Sequence, residues 1–470
     1  MLISALLKSI DCELITEDVE IGFITDNSEK CKENSIFVCH EGAEDFVESA
    51  IKNGAVAVVA NKKLNDNCYV VEDTRKAYSL LCAELFGNCH KKIKLIGVTG
   101  TNGKTTVSSM LYHILTMNGR KCALLGTTGY IHCGENEEAS LTTPDPYEMH
   151  RMFSEMTECG TEYCIMEASS QGLMQERLFP LQFEIAVFTN LTPEHLDYHG
   201  TMENYRKAKE KLFRQSKVSV INLDDENAES FLSASDGEKI TYSLKKDEAD
   251  FTAKYIRFFE GATDYVIVAN ELIHRVKLQT PGNHNIYNSM AAVICAIKCG
   301  LSIEKAANAL RSFYGVKGRF EILPIKTDFK VIIDYAHTPD SLKQVLLTLS
   351  DFKKNRLITL FGCGGERDKT KRGEMGRIAT FYSDAVIITS DNPRHENPSE
   401  IIDDILKGTE DSKTPVYIIE NRKKAIEYAL KKAQKNDIIL LAGKGHEAYQ
   451  IIGDEKISFD ERKTIAELLS

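Results

Sequence analysis

The 470-residue sequence contains no tryptophan, an absence to which we attach no functional meaning. No Cys-x-x-Cys pair occurs among its 13 cysteines, so a zinc ribbon or a thioredoxin-like motif is unsupported. The cysteines are scattered and odd in number along a long chain, which predicts reduced thiols in a cytoplasmic protein. No apolar run approaches the ~20 residues of a membrane-spanning helix. The first residues lack the basic region, apolar core and small-residue cleavage site of a signal peptide. No membrane association is therefore expected. An excess of positive charge is missing too: 58 Lys and Arg against 69 Asp and Glu give a net charge of −11. That argues against a general nucleic-acid binder, because neutralising phosphates needs a basic surface. Small anionic ligands in a local basic pocket are not excluded by it. Short-period repeats and low-complexity segments are also absent. What is present, 43% apolar and 27% charged residues, is ordinary for a globular protein and excludes a disordered or fibrous chain. The length alone suggests about three domains.

Strand-like apolar runs alternate with helix-like segments over most of the chain. Ser35–Cys39 and Ala55–Ala60 are short strand candidates, and the Lys-rich stretch 90–94 reads as a linker. From Ile93 the run IKLIGVTG reads as a buried parallel strand ending in glycine. Residues 104–118 follow as a helix, with Gly119 as its stop. Further strands are expected at 121–125, 162–167, 184–189 and 217–222. A β-rich stretch covers 238–280, and a helix covers 283–300. A second series begins near Lys330, with strands KVIIDY, RLITLFG, DAVIITS, PVYIIE and DIILLAG separated by helical segments. Such alternation implies parallel sheets with helices on both faces. The expected divisions are 1–90, 91–320 and 321–470.

The segment GVTGTNGKTT, Gly97–Thr106, lies between a strand and a helix. Backbone N–H groups of such a loop, together with the helix N-terminus, attract phosphate oxygens. Lys104 is placed to reach the β/γ-phosphates and the Thr105 hydroxyl to ligate Mg²⁺. The general form G-x-x-x-x-G-K-S/T is not fully matched, because Val98 stands where a glycine is usual. Gly97, Gly100 and Gly103 are spaced by threes, which disfavours a dinucleotide fold.

Ten ordered motifs extend the signal over essentially the whole chain. After the loop come TTPD (Thr142–Asp145), EASSQGL (Glu167–Leu173), NLTPEHLDYHG (Asn190–Gly200), YRKAKEKLF (Tyr205–Phe213), GNHNIYNSMAA (Gly282–Ala292) and GRFE (Gly318–Glu321). DYAHTPDSL (Asp334–Leu342), GCGGERDKTKR (Gly362–Arg372), SDNPR (Ser390–Arg394) and GKGHE (Gly443–Glu447) complete the series. In these residues the chain resembles the Mur ligases, which build the peptide stem of peptidoglycan. Within that family the motifs look like those of the member that adds the third residue to UDP-N-acetylmuramoyl-L-alanyl-D-glutamate. The resemblance implies an α/β protein of three domains: an N-terminal UDP-binding α/β domain, a central P-loop ATPase with a mostly parallel sheet, and a C-terminal Rossmann-like domain that brings in the amino acid. It also implies a monomer.

The implied reaction is ADP-forming amide synthesis. ATP phosphorylates a substrate carboxylate, an amine attacks the acyl phosphate, and phosphate leaves from a tetrahedral intermediate. Such chemistry requires charge neutralisation and positioning more than an acid/base pair, and two Mg²⁺ ions are expected. Glu167, at the carboxyl end of an apolar strand, suits a metal ligand. By resemblance His195 ligates the second metal. Lys209 shares a helix face with Met202, Tyr205, Leu212 and Phe213, while Lys207 and Lys211 fall on other sides. Desolvation there disfavours the ammonium, and the family's matching lysine is carbamylated, which makes it a carboxylate-like ligand. The alternative is a lysine whose head snorkels to solvent. The resemblance assigns ATP to Gly100, Thr101, Asn102, Gly103, Lys104, Thr105, Thr106, Asn288, Arg319 and Asp334. It assigns the nucleotide-sugar dipeptide to Ser28, Thr142, Thr143, Ser169, Gln175 and Arg177. Here Asn27-Ser28-Glu29 departs from the family's frequent Asp-Ser-Arg.

The SDNPR motif points to meso-2,6-diaminopimelate as the added amino acid. That substrate has a second carboxylate that lysine lacks, and Arg394 can bind a carboxylate in bidentate fashion. Asp391, Asn392, Pro393, Arg367, Gly443 and Glu447 match the rest of the pocket, with Glu447 accepting from the distal ammonium. An arginine left unpaired would penalise lysine. Cys363, in GCGG, is the cysteine nearest this pocket in motif order. L-lysine addition, the D-alanyl-D-alanine-adding ligase, folylpolyglutamate synthesis, an inactive regulator with the same fold and a nucleic-acid motor are the competing readings. SDNPR, GKGHE, the intact Lys104, Glu167, His195 and Lys209, and the acidic composition disfavour them in turn.

Overall fold

The computed structural model describes every residue except Thr16, Glu260 and Glu271. It is an α/β protein with a small parallel N-terminal sheet, a large mixed central sheet and a mostly parallel C-terminal sheet. The described residues form two compact units. The first comprises 1–100, 114–189 and 206–241, and the second comprises 101–113, 190–205 and 242–470.

In the first unit, β1 (Phe23–Thr25), β2 (Ser35–Val38), β3 (Ala55–Ala60) and β4 (Cys68–Val70) pair in sequence order, all parallel. Nearly every residue of β3 is buried, as expected of an apolar run covered on both faces. The same unit holds β5 (Lys94–Thr99), β6 (Cys122–Gly126), β7 (Gly129–His132), β8 (Glu135–Glu137), β9 (Tyr163–Glu167), β10 (Phe183–Phe188) and β11 (Ser216–Asn222). Their order is β11-β10-β5-β9-β6-β7-β8, parallel as far as β6 and antiparallel thereafter. The β7–β8 hairpin was not visible in the sequence pattern.

The β-rich stretch resolves into β12 (Glu238–Ser243), of which only the last two residues belong to the second unit, and into β13 (Phe251–Phe259), β14 (Ala262–Ala269) and β15 (Leu272–Leu278), which lie wholly in it. The pairs β13–β14 and β14–β15 are antiparallel. The central sheet is therefore mixed where a mostly parallel one was expected. The C-terminal series gives β16 (Glu321–Ile322), β17 (Lys330–Asp334), β18 (Leu357–Phe361), β19 (Ala385–Ile388), β20 (Val416–Ile418) and β21 (Ile438–Ala442). Their order is β16-β17-β21-β18-β19-β20, parallel except for the edge strand β16. Two clusters of apolar side chains, one around Leu342, Leu346 and Met375 and one around Ile426, Ala429 and Ile465, cover its two faces. Helix 339–350 starts on a capping box, with Thr338 and Ser341 satisfying each other's backbone N–H groups and Pro339 at a position that needs no donor.

Two expectations require correction. The stretch 90–94 is not an open linker: Cys89–Lys92 form a short 3-10 helix, and His90 is buried against His150 and Phe153. The cysteines are not all reduced. Cys133 and Cys159 form a disulfide with Cα atoms 5.9 Å apart, and the other eleven form no disulfide. The turn after β7 and the end of helix 146–158 meet only in the folded chain, so a spacing of 26 residues gave no sign of the pair. Ion pairs join the same elements. Arg151 holds both Glu137 (2.8 Å) and Glu155 (2.7 Å), and His132 lies 2.9 Å from Glu137.

Candidate active site

In the first unit, β9 delivers Glu167 at its carboxyl end, almost wholly buried. Thr127 donates its N–H and its hydroxyl to the two carboxylate oxygens, each at 2.9 Å. Thr127 also lies 3.1 Å from the Thr142 hydroxyl. The Thr143 hydroxyl is 2.8 Å from the Glu167 carbonyl and accepts the Ser169 N–H at 2.9 Å. Ser169 caps helix 170–174 by accepting the Gly172 N–H. Arg177 donates to the Thr143 carbonyl (2.9 Å) and to Gln175. Five of the six dipeptide candidates and Glu167 thus belong to one hydrogen-bonded group. Ser28 lies outside it, buried in the short 3-10 helix Ser28–Lys30, with its carbonyl bound by Asn53.

Residues to which the sequence reading gave no role also stand near Arg177. Asp145 accepts from the Tyr78 hydroxyl at 2.7 Å, and Asp26 pairs with His40 at 3.4 Å. Burial pushes the Asp145 carboxyl above its ordinary value; the Asp26 charge adds to this, while Tyr78 and Arg177 oppose it. Asp145 closes the TTPD motif, whereas Asp26, His40 and Tyr78 are single residues from separate segments that none of the ten motifs covers.

Lys209 is a further inward-facing charge of this unit. Only 1% of it is exposed, on a face with the fully buried Leu212 and Phe213, and Nζ donates to the Gly100 carbonyl at 2.9 Å. Lys207 is exposed and Lys211 pairs with Glu176, so the three lysines separate as helical spacing predicts.

The rest of the loop belongs to the second unit. Lys104 opens helix 104–117 and donates to the Thr101 carbonyl at 2.8 Å. Asn102 and Asn190 exchange hydrogen bonds, 2.9 and 3.1 Å, which tie the loop to the segment after β10. Thr101 and Thr105 are buried, and Thr106 is half-buried in the first helical turn. Gly103 has φ +88°, and a Cβ there would sit 2.5 Å from Asn288 Oδ1, so a side chain is excluded on both counts. The same contact places Asn288 against the loop. Arg319 stacks on Tyr335, 4.3 Å from the ring centroid, with Nη2 3.5 Å from the Thr105 hydroxyl. Asp334 accepts the N–H groups of Phe320 (2.6 Å) and Ala336 (2.7 Å); burial raises its carboxyl and the Arg319 charge partly offsets that.

His195 adopts a left-handed backbone (φ 54°) and keeps its side chain 41% exposed, 3.9 Å from Glu194. Glu194, missed in the sequence although it lies inside NLTPEHLDYHG, bonds His337 Nε2 at 3.0 Å. Burial works against its ionisation, but His337 and the charges of His195 and Lys104 outweigh burial and hold the carboxyl well below the usual range. Among the metal candidates, Thr105 and Glu167 offer hard oxygen donors and His195 an accessible imidazole. A carbamate on Lys209 would add further oxygens. That donor chemistry fits Mg²⁺.

The amino-acid candidates come from three segments of the second unit. A Cβ on Gly364 would lie 3.2 Å from Arg394 Nη1 and 3.7 Å from Arg367 Cγ, so the Arg394 guanidinium and the stem of Arg367 border the same glycine. Arg394 Nη1 donates to the Gly365 carbonyl at 2.8 Å; Nε and Nη2 have no protein partner among the described residues. Arg367 is exposed, and the Pro393 carbonyl accepts the Glu396 N–H. Gly443 has φ +107°, and a Cβ would lie 2.7 Å from Asp391 Oδ2. Asn392 donates to Glu447 Oε2 at 3.0 Å. Burial pushes the Cys363 thiol up to about 12, so it is no ready nucleophile.

Comparison with known proteins agrees with these motifs. The family profile "Mur ligase middle domain" matches residues 98–296, and "Mur ligase, glutamate ligase domain" matches 318–445. UDP-N-acetylmuramoyl-L-alanyl-D-glutamate–2,6-diaminopimelate ligase 1 of Clostridium acetobutylicum is 44% identical over 100% of this chain and 99% of its own length. The corresponding ligase of Caldanaerobacter subterraneus is 41% identical over 99% and 98%. A solved structure of a UDP-N-acetylmuramoyl-L-alanyl-D-glutamate–2,6-diaminopimelate ligase superposes with a TM-score of 0.72 at 32% identity, covering 99% of this chain and 98% of that one.

Proposed function

Because the chain belongs to the Mur ligase family, which uses ATP, we propose that it adds meso-2,6-diaminopimelate to the D-glutamate of UDP-N-acetylmuramoyl-L-alanyl-D-glutamate, in the cytoplasm, for peptidoglycan synthesis. The observation that carries this reading is the meeting of Arg367 and Arg394 beside Gly364, with guanidinium N–H groups of Arg394 left open. Two cationic forks suit a substrate with one carboxylate more than lysine has. The three-domain division at residues 90 and 320 is part of the same proposal.

Lys104 and the loop N–H groups neutralise and orient the ATP phosphates, with Asn288, Arg319 and Asp334 along the rest of the nucleotide. Thr142, Thr143, Ser169, Gln175 and Arg177 bind the dipeptide whose terminal carboxylate is phosphorylated, and Ser28 serves the UDP end. The carboxylate attacks phosphorus, ADP leaves, and the amine displaces phosphate from the acyl phosphate. Glu167 and carbamylated Lys209 in the first unit, and Thr105 and His195 in the second, would each offer donors to Mg²⁺, which when bound neutralises charge on the transferring group. Arg367 and Arg394 bind the side-chain carboxylate of the incoming amino acid, and Glu447 its ammonium.

Phosphate release tests the reading, with ATP, Mg²⁺ and the UDP-dipeptide held constant and the amine varied. Release that needs all three substrates and prefers diaminopimelate over L-lysine by at least about 100-fold is expected. Equal use of the two amines would overturn the substrate, and amine-independent release would leave a plain ATPase.

A further inference from the structure

The pocket holds a buried cation to which the family motifs assign no part. Lys444, between Gly443 and Gly445, is 0% exposed. Its ammonium donates to Asn392 Oδ1 at 2.9 Å and to Glu447 Oε2 at 3.0 Å, and it lies 3.8 Å from Asp391 Oδ1. A lysine normally carries its head to water, and burying it costs several kcal/mol unless good partners surround it. Here they do, and they form a row. Glu461 Oε1 pairs with Arg422 Nε at 2.8 Å, and Arg422 Nη1 stands 3.9 Å from Asp391 Oδ2. Asp391 and Glu447 then flank Lys444. Charge alternates along the whole row, which ends on the Glu447 carboxylate in the pocket.

The hydrogen bonds give that end a direction. Glu447 Oε2 accepts from both Lys444 Nζ and Asn392 Nδ2, each at 3.0 Å. Oε1 has no protein hydrogen-bond partner among the described residues. Asn392 Oδ1 accepts from Lys444 and from the Ile451 N–H at 3.1 Å, so its amide cannot turn without losing both. One oxygen of Glu447 is held and the other is presented.

Building on the diaminopimelate reading above, we propose that Lys444 is a positioning residue for the incoming amino acid. It locks Glu447 Oε2 through a buried charged hydrogen bond and so directs Oε1 at the substrate ammonium. Lys444 itself touches no substrate. Between two carboxylates it also leaves one net negative charge for the amine, where its removal would leave two carboxylates in mutual repulsion and Glu447 free to rotate.

The test is steady-state kinetics on the full chain with each substrate varied in turn, alongside thermal melts. Lys444→Met is expected to raise the KM for diaminopimelate about 30-fold. The KM values for ATP and the UDP-dipeptide should stay within about threefold, and kcat at saturating amine should fall less than KM rises. Lys444→Arg should recover part of the loss, because it keeps the charge in a different geometry. Glu447→Gln should raise the same KM, and adding Lys444→Met to it should change the KM by less than about threefold, because the lysine acts through that carboxylate. The double variant removes both charges and reports even if Lys444→Met alone fails to fold. A double variant more than tenfold worse than Glu447→Gln, or a folded Lys444→Met with the native amine KM, overturns the proposal while the pocket stands. A Glu447→Gln protein with the native amine KM overturns the pocket itself.

Discussion

The Thr101–Thr106 part of the phosphate loop and the amino-acid pocket, both in the second unit, are built in opposite ways. From Thr101 to Thr106 the loop is contiguous, and its geometry follows from local needs: a left-handed glycine, a helix start, a lysine folded back onto the Thr101 carbonyl. The pocket draws on residues 362–372, 390–394 and 443–447, and its charges are set by partners as distant as Glu461. A contiguous site carries its chemistry in its own spelling. An assembled site takes its chemistry from the fold, so removing one of its members alters the others.

The comparison predicts all-or-none effects in the loop and graded, substrate-selective effects in the pocket. Lys104→Ala should lower kcat at least about 1,000-fold with every amine, since charge stabilisation of the transferring phosphoryl group is lost. Phosphate release together with an unchanged melting temperature checks this. Arg394→Ala should lower kcat/KM for diaminopimelate about 100-fold or more, yet leave the weak use of lysine nearly unchanged. A loss shared equally by both amines would place Arg394 outside the specificity pocket.

Smaller effects concern stability. Opening the Cys133–Cys159 disulfide, by reductant or by Cys159→Ser, should cost about 3 kcal/mol by the loop-entropy account. Chemical denaturation measures this, and activity should change little because the Arg151 ion pairs still join the hairpin to the helix. Burial holds His90 and His284 down to about 4 and His150 down to about 3. These folded values lie below the unfolded ~6.5, so the unfolded chain binds more protons between roughly pH 6.5 and 3. Stability should therefore be full above pH 6.5 and fall as the pH drops through that window. Melting temperatures from pH 7.5 to 4.5 should show the decline, and His150→Phe should flatten it.

Legibility in the sequence follows the same division. The parallel strands of the series from Ile93 and from Lys330 were visible, because strands such as β5, β18 and β21 are largely apolar runs, whereas the three-residue β1 and β4 of the N-terminal sheet were not. Lys209 was legible from helical spacing, and its burial agrees. The β7–β8 hairpin, with its exposed and polar β8, carries no such period. His90 looked like linker because its neighbours are lysines, although its ring packs on helix 146–158. The disulfide, the Glu194–His337 pair and the Lys444–Glu447–Asn392 group depend on meetings across long stretches of chain or on burial, neither of which the spacing of residues reveals. His195 and Glu447 were readable as motif letters, whereas the groups that orient them were not.

The most direct measurement of the central claim is a competition. The protein is incubated with ATP, Mg²⁺, UDP-N-acetylmuramoyl-L-alanyl-D-glutamate and equal amounts of meso-2,6-diaminopimelate and L-lysine, and the tripeptide product is identified by mass. The account predicts product carrying diaminopimelate almost alone, with ADP and phosphate formed in equal amounts; product carrying lysine in comparable yield, or no tripeptide at all, would contradict it.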